Sequence, residues 1–570
     1  MAALGDEVSA AGWVQGTYIT QDTQLLYAHA TDRYLAYYAQ AVGESRRYAD
    51  QKTDKSTARA LEVLKRGVTA PPPNDSAKRA EMTRLGVALE SAYGEAKYCT
   101  ANDGTSSCRS IDELSQTLAT SRNYEELTQA WIGWHSTARP IRKDYERFVT
   151  LANEGARDLG YADLGAMWRS GYDMSAEDFA REVERLWTQV RPLYNQMQCY
   201  ARVQLTRKYG ADRVPPGKPI PAQLLGNLWA QQWNKIYDDI LEPYPAVAPP
   251  SVDRALKAQG YDALRMTRQA ESFYRSLGFT PLPADFWKRS MLTRPRDREV
   301  ECHAEAWQVN HGADVRIKAC LTPTQEDLET IYHEMGHIYY DLAYKDQPFL
   351  FQGGANDGFH EAIGDTIVLS MTPGYLASVK LLPPVKPSHE QLINTQMRMA
   401  TDKVAFLPFG KLIDQWRWQV FSGQIKPADY NKAWWALRVK YQGVAAPVAR
   451  SEEDFDPGAK YHVPSNTPYT RYFLSYILQF QFHKALCEAA GFKGPLHECS
   501  IFGSQEAGKR FWAMLQAGES RPWPETLEKL TGTRKIDAAA ILEYFAPLME
   551  WLKQRNSGQQ CGWQGQDSDA

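Results

Sequence analysis

The sequence predicts a mainly α-helical protein with a few short strands. Apolar residues recur at helical spacing through most of the 570 residues, the breaks between these runs fall at proline-bearing stretches, and only residues 298–320 read as strands. Residues 26–66 read as long helical stretches, dense in Arg, Lys, Asp and Glu and ending near Gly67, after which Pro71-Pro72-Pro73 breaks the chain. Further helices are expected at about 77–98, 111–135, 138–158, 176–209, 221–240, 260–277, 323–344, 360–371, 387–421, 427–440, 472–490, 504–516 and 536–555. Proline-bearing connections at 214–221, 243–250 and 279–283 separate several of them. Residues 298–320 suggest a hairpin, with one run near Cys302-His303-Ala304-Glu305-Ala306-Trp307 and a return near Val315-Arg316-Ile317-Lys318. There is no internal repeat and no disordered linker before the polar tail after Gln554.

The most specific chemistry lies at residues 333–337, His-Glu-Met-Gly-His. On a helix His333 and His337 are one turn apart and point the same way, so two neutral imidazoles can grip one zinc ion. Glu334 lies beside them as a base for the water that such a metal activates. A solvated surface helix could carry the same run, but Leu328, Ile331, Tyr332, Met335, Ile338, Tyr339 and Leu342 surround it, so this helix reads as buried. Buried histidines and a glutamate are costly without a partner, and a metal ion is one. Glu361 and Asp365 stand at i and i+4 on a second expected helix, entered through Gly353-Gly354-Ala355-Asn356-Asp357-Gly358. Glu361 would complete the ligand set, and Asp365 would accept a hydrogen bond from a ligand histidine and fix its tautomer.

Composition narrows the remaining classes. Hydrophobic content of 43%, with 17 tryptophans and 31 tyrosines, allows a large interior. A net charge of −3 gives no reason to expect nucleic acid or a membrane surface, and no run of 18 apolar residues predicts a span. Of 8 cysteines, three pairs are close in sequence: Cys99 and Cys108, Cys302 and Cys320, Cys487 and Cys499. They suggest three local disulfides, each worth roughly 3 kcal/mol in the chain-entropy model, and hence an oxidising compartment. Cys199 and Cys561 have no assigned partner. The first residues lack a basic and an apolar signal region, so the expectation is a secreted or periplasmic protein whose signal has been removed. The single sequon, Asn74-Asp75-Ser76, is weak evidence of glycosylation.

A second unusual stretch is 460–472, Lys-Tyr-His-Val-Pro-Ser-Asn-Thr-Pro-Tyr-Thr-Arg-Tyr. Pro464 and Pro468 force extended geometry on their predecessors before an apolar helix begins. The polar strip Lys460, His462, Tyr469, Arg471 and Tyr472 reads either as a cleft lining or as a surface loop.

Together with Gly-Phe-His-Glu-Ala-Ile-Gly-Asp, Asp-Gln-Trp-Arg-Trp, Lys-Tyr-Gln-Gly, His-Val-Pro, Pro-Tyr-x-Arg-Tyr-Phe and Gln-Phe-Gln-Phe-His, these motifs resemble the angiotensin-converting enzyme family of zinc peptidyl-dipeptidases, the M2 metallopeptidases, from about residue 18 to 555. The three expected disulfides match that family's pattern. The resemblance implies a large helical zincin with two halves around a deep central cleft, a single peptidase domain over 1–570. Residues 18–110 would form a helical lid, 298–372 the edge-strand and zinc core, and 555–570 a polar tail. It implies a monomer, with a bacterial source in keeping with the lone sequon. It implies zinc on His333, His337 and Glu361, Glu334 as general base and then acid, and Tyr472 with His462 as donors to the developing oxyanion. His303 with the Ala304 and Ala306 backbone would hold the substrate chain. Gln231, Lys460 and Tyr469 would bind the C-terminal carboxylate of a short peptide. A cradle two residues beyond the scissile bond makes such an enzyme release dipeptides. A single-residue carboxypeptidase on the same fold is the alternative, although Gln232 stands where that branch has a blocking arginine. The resemblance also implies a first chloride site at Arg169, Trp434 and Arg438 and a second at Tyr200 and Arg471. Asp357 replaces a proline of chloride-dependent members, so the second site is expected to be empty or weak. Thr330 replaces an aliphatic pocket residue, so side-chain preference is expected to differ.

Overall fold

The computed structural model describes residues 1–48, 51–102, 105–247, 250–310, 312, 314–384 and 387–566. Helices dominate, and the strands form three two-stranded sheets among the described residues. The chain forms two compact units, each drawn from three separate stretches. The first comprises Met1–Gly67, Pro249–Pro387 and Ile477–Tyr544; the second comprises Val68–Ala248, Ser388–Tyr476 and Phe545–Ala570.

In the first unit, the charged region expected from 26 to 66 folds as helices Gln21–Ser45 and Lys55–Arg66. Asp54 starts the latter by accepting from the Ser56 and Thr57 amides. Buried Arg59 ties that helix to the chain at Glu519, donating 3.0 Å to its carbonyl. A helix over Ala2–Thr17 was not expected, because its small and apolar residues show no one-sided pattern. Tertiary packing supports it: Trp13 meets Trp307 edge-on at 6.0 Å and joins a cluster with Met291 and Val300, against which Cys302 and Cys320 pack. The hairpin is present, but its first strand is Glu305–Val309, so Cys302, His303 and Ala304 precede it. Asp314–Lys318 pairs with it antiparallel, Ala306 opposite Ile317.

The region expected as a lid, 18–110, runs through both units, because the chain changes unit after Gly67. Trp168 anchors the next stretch by donating 2.7 Å to the Thr69 carbonyl within the second unit. Strands Tyr98–Asn102 and Thr105–Arg109, which the pattern did not suggest, place Cys99 directly opposite Cys108. The helix expected over 221–240 is replaced by short turns at Ala222–Leu225, Asn234–Ile236 and Tyr237–Leu241. Leu224, Leu225, Leu228, Trp233 and Ile236 are all buried, which mimics helical spacing, but left-handed Gly226 (φ 76) and Ala230 (φ 51) stop a continuous helix. Two helices run long, Ala176–Tyr209 and His389–Phe421, each with an internal proline.

All three expected disulfides form, and Cys199 bonds Cys561 across 362 residues. That bond corrects the reading of the C-terminus as a free polar tail. Arg202 donates 2.5 Å to the Gly562 carbonyl, and the buried Trp563 indole donates 2.7 Å to the Val439 carbonyl. Among the described residues no helix is long and apolar enough to cross a membrane.

Replacing Cys199 and Cys561 together by serine is expected to lower the unfolding free energy by about 3 kcal/mol more than the same change at Cys99 and Cys108, since the chain-entropy effect grows with the logarithm of the enclosed loop, 362 against 9 residues. Urea unfolding of the two variants measures the difference; equal losses would contradict it.

Candidate functional site

The metal centre is built where two helices of the first unit touch backbone to backbone. Gln325–Tyr344 carries His333, Glu334 and His337, and Asp357–Leu369 carries Glu361 and Asp365. Thr324 caps the first by accepting from the Asp327 amide, and Asn356 caps the second through the Gly358 and Phe359 amides. Their contact is at Gly336 and Gly364. A Cβ on Gly364 would lie 2.4 Å from the His333 carbonyl oxygen, and one on Gly336 would lie 2.6 Å from the Gly364 Cα. This approach lets the short Asp365 side chain reach His333 Nδ1 at 2.9 Å and puts Glu361 Oε2 3.7 Å from His333 Nε2.

The donor set fits a zinc ion. His333 Nε2 and His337 Nε2 face each other at 3.1 Å, close to the roughly 3.3 Å spacing that tetrahedral zinc with 2.0–2.1 Å bonds would impose. Glu334 joins them within 4.8 Å. Burial opposes a charge on His333, but the hydrogen bond it donates to Asp365 and the charges of Asp365, Glu334 and Glu361 outweigh it and raise its pKa to about 9. Burial pushes His337 well below the usual range, with His333 and His360 adding to the effect. The carboxylates thus call for positive charge while one imidazole refuses it, a combination that a cation shared between the rings satisfies.

The ring of His337 is held by a chain of groups that the sequence reading missed. His337 Nδ1 and His360 Nδ1 are 2.9 Å apart, His360 Nε2 and the Tyr344 hydroxyl are 3.0 Å apart, and that hydroxyl donates to buried Asp341. With His337 Nε2 left as a ligand, its Nδ1–H donates to His360, and each later proton points onward toward Asp341. Asp341 and Tyr344 follow His337 by four and seven residues, a spacing along one helix face that could have disclosed them. Glu334 is buried, and burial holds its carboxyl above the usual range, partly offset by His333 and by the Ala306 amide. His303 is exposed just ahead of the strand, its amide 2.6 Å from Glu301. The sheet has two strands, so the Glu305–Val309 edge away from Asp314–Lys318 has no strand partner among the described residues. A second cluster, His483 with Cys487 and Cys499, is closed by a disulfide and offers no thiolate.

In the second unit the structure gathers the other expected residues. The Tyr469 hydroxyl donates to Gln231 Oε1 at 3.3 Å, and Lys460 Nζ lies 4.1 Å from the Trp229 ring centre and 5.6 Å from that of Tyr469. Burial alone brings Lys460 down to about 7, with no carboxylate among the described residues to offset it. The His462 ring lies 4.6 Å from Tyr469 and 5.7 Å from Tyr472, and the two tyrosine rings are 5.0 Å apart. Burial, then the charges of Lys460, Arg417 and Arg471, push His462 down to about 2, so it is a neutral hydrogen-bonding ring, with buried Nδ1 unpartnered. In the 460–472 strip Lys460 and Tyr469 are buried and His462, Arg471 and Tyr472 half-buried, so it is a largely enclosed polar cluster rather than a surface loop.

Residues 1–563 match the profile of the M2 peptidases, described as angiotensin-converting enzyme. The chain belongs to the angiotensin-converting enzyme family. It is 44% identical over 567 residues to the angiotensin-converting enzyme of Bos taurus, covering 97% of this chain and 43% of that protein. It is 46% identical over 479 residues to that of the leech Theromyzon tessulatum, covering 83% of this chain and 77% of that protein. Against the angiotensin-converting enzyme-like protein Ace3 of Mus musculus identity is 43% over 489 residues, 85% of this chain and 66% of that protein. The chain spans less than half the length of the mammalian angiotensin-converting enzymes it matches, 37% for Sus scrofa.

The residues expected at the anion sites have different surroundings. Arg438 is buried with its guanidinium 5.7 Å from the Trp434 ring and 5.2 Å from Phe409; burial lowers it to about 9, and its Nε has no partner. Arg169 instead lies 5.2 Å over Trp418 and donates to the Gly165 and Ala176 carbonyls. Tyr200 packs edge-on to Trp551, and burial raises it while the cations acting on its hydroxyl are Arg555 and Arg207, not Arg471. Asp357 opens the Asp357–Leu369 helix one turn before Glu361.

Gly364→Ala is expected to force the two helices apart and weaken zinc binding by about 10–100-fold, the range for disturbed ligand supports. Competition with a chelator reads this directly; unchanged affinity would show that the close contact does not set the ligands.

Proposed function

We propose that the protein is a zinc peptidyl-dipeptidase that removes dipeptides from the free C-terminus of short peptides, acting as a monomer in the periplasm or outside the cell. The observation that carries this reading is buried Lys460, which no carboxylate among the described residues neutralises, beside Gln231 and Tyr469. A cation desolvated without a partner lacks an anion, and a peptide's terminal carboxylate is one. Family membership supports the same reading. Four disulfides fit an oxidising compartment.

His333, His337 and Glu361 would hold the zinc, which supplies a Lewis acid that lowers the pKa of water and polarises a carbonyl. Asp365, and the chain from His360 to Asp341, orient the two imidazoles. Glu334, raised by burial, takes the proton of the attacking water and returns it to the leaving amine. His303 and the Ala304–Ala306 backbone would align the extended peptide. Tyr472 and neutral His462 donate to the oxyanion as it develops, each worth about 3 kcal/mol of barrier. Lys460, Tyr469 and Gln231 hold the carboxylate and make the enzyme count two residues from the end. Arg438, with its unpartnered Nε beside Trp434, supports a bound anion such as chloride at the first site. The surroundings of Tyr200 do not favour the second.

Mass spectrometry of products from a decapeptide and its C-terminal amide tests the reaction type. Stepwise loss of dipeptides from the free acid, with the amide cleaved far more slowly, is expected. Single-residue loss would favour the carboxypeptidase alternative, and equal cleavage of both would sink the carboxylate assignment.

The Lys460 ammonium is present below its pKa of about 7 and is lost above it. Affinity for a free-acid peptide is therefore expected to fall as pH rises through 7, so KM climbs on the alkaline side. Lys460→Met should raise KM throughout and remove this dependence; a KM profile shared with the wild type would refute the role.

A further inference from the structure

We propose that Asp414 and Arg417 are positioning residues, a buried ion pair on the His389–Phe421 helix that sets the spacing of the His462 and Tyr472 donors and the Lys460–Tyr469 cradle. This rests on the roles proposed above for those four residues. The motif Asp-Gln-Trp-Arg-Trp that contains the pair stood out in the sequence without a function.

The pair's hydrogen bonds go to the backbone of the functional segments themselves. Asp414 Oδ2 accepts from the Tyr469 amide at 2.7 Å, the Thr470 amide at 2.7 Å and the Thr470 hydroxyl at 2.8 Å. Both amides lie at the start of the Thr470–Ala489 helix, where N–H groups have no acceptor in their own helix. An N-cap side chain ordinarily accepts from the second or third amide of its helix rather than from these two, and the Tyr469 side chain reaches to Gln231. Asp414 supplies the cap from another helix. Its other oxygen binds Arg417 Nη2, three residues on along the same face. Arg417 Nη1 then donates 2.7 Å to the His462 carbonyl, which also accepts from the Thr467 amide at 3.0 Å. One ion pair thus holds His462 on one side and the turn leading into Tyr472 on the other.

Burial shows how closely this is built. Arg417 is 0% and Asp414 2% exposed, and the guanidinium lies 4.8 Å over the Trp168 ring. Two charges in such a place cost several kcal/mol each to desolvate, and apolar residues would fill the space without that cost. What apolar residues cannot do is bind four backbone and hydroxyl groups in fixed directions. Donors to an oxyanion must be held to within about 0.5 Å, and rigid attachment of both segments to one helix turn gives that precision.

The test is a double-mutant cycle with Tyr472, read as kcat and KM on a free-acid peptide together with zinc affinity. Asp414→Asn is expected to lower kcat by about 10–100-fold, the effect of misplacing a catalytic group by about 1 Å, while the zinc dissociation constant stays within about 2-fold because no metal ligand is touched. In a Tyr472→Phe background the same change should cost clearly less in kcat, since one of the two donors it positions is gone. An equal loss in both backgrounds, or zinc lost in step with activity, overturns the proposal. Should Asp414→Asn fail to fold, Thr470→Ala removes one of the three bonds to Asp414 without leaving a buried charge, and its cost in kcat must shrink in the same background. A silent Tyr472→Phe would bring down the donor assignment itself, and a costly Tyr472→Phe with full additivity brings down only the positioning role.

Discussion

The contact between Gly336 and Gly364 governs the metal centre. Helices ordinarily pack 8–10 Å apart because side chains stand between them. Here the two backbones meet, and the His-Glu-x-x-His turn and the Glu361–Asp365 turn become one rigid piece. Each ligand is then supported from outside: His333 by Asp365, His337 by His360, Tyr344 and Asp341.

The two units gather opposite charge. In the first, Glu334, Glu361 and Asp365 surround two imidazoles and favour a bound cation. In the second, burial and then the charges of Lys460, Arg417 and Arg471 keep His462 neutral, and among the described residues no carboxylate offsets the burial of Lys460. An environment poor in anions suits a terminal carboxylate and a developing oxyanion alike. Asp414 lies among those cations, with one oxygen accepting from the Tyr469 and Thr470 amides and the other from Arg417.

Disulfides contribute in two ways. Cys99–Cys108 and Cys302–Cys320 each close a short local loop, the first between paired residues of a hairpin and the second across the ends of one. Cys199–Cys561 closes 362 residues and, with Arg202 and Trp563, returns the C-terminal segment to the Ala176–Tyr209 helix.

The sequence by itself determined the helical class, the zinc motif, the three local disulfides and the family. These depend on spacing within short stretches or on side-chain types at fixed offsets, and both survive without knowledge of the fold. It also carried the misreadings at 221–240 and in the C-terminal segment, where buried apolar residues imitate helical periodicity and polar residues conceal a docked tryptophan. Only the tertiary structure decided that Cys199 meets Cys561, that Asp341 stands behind His337 through two other side chains, and that Asp414 caps a helix 55 residues further on. Those partners are joined by folding rather than by sequence proximity, and no local period marks a carboxylate whose acceptors are used by the backbone of a distant segment.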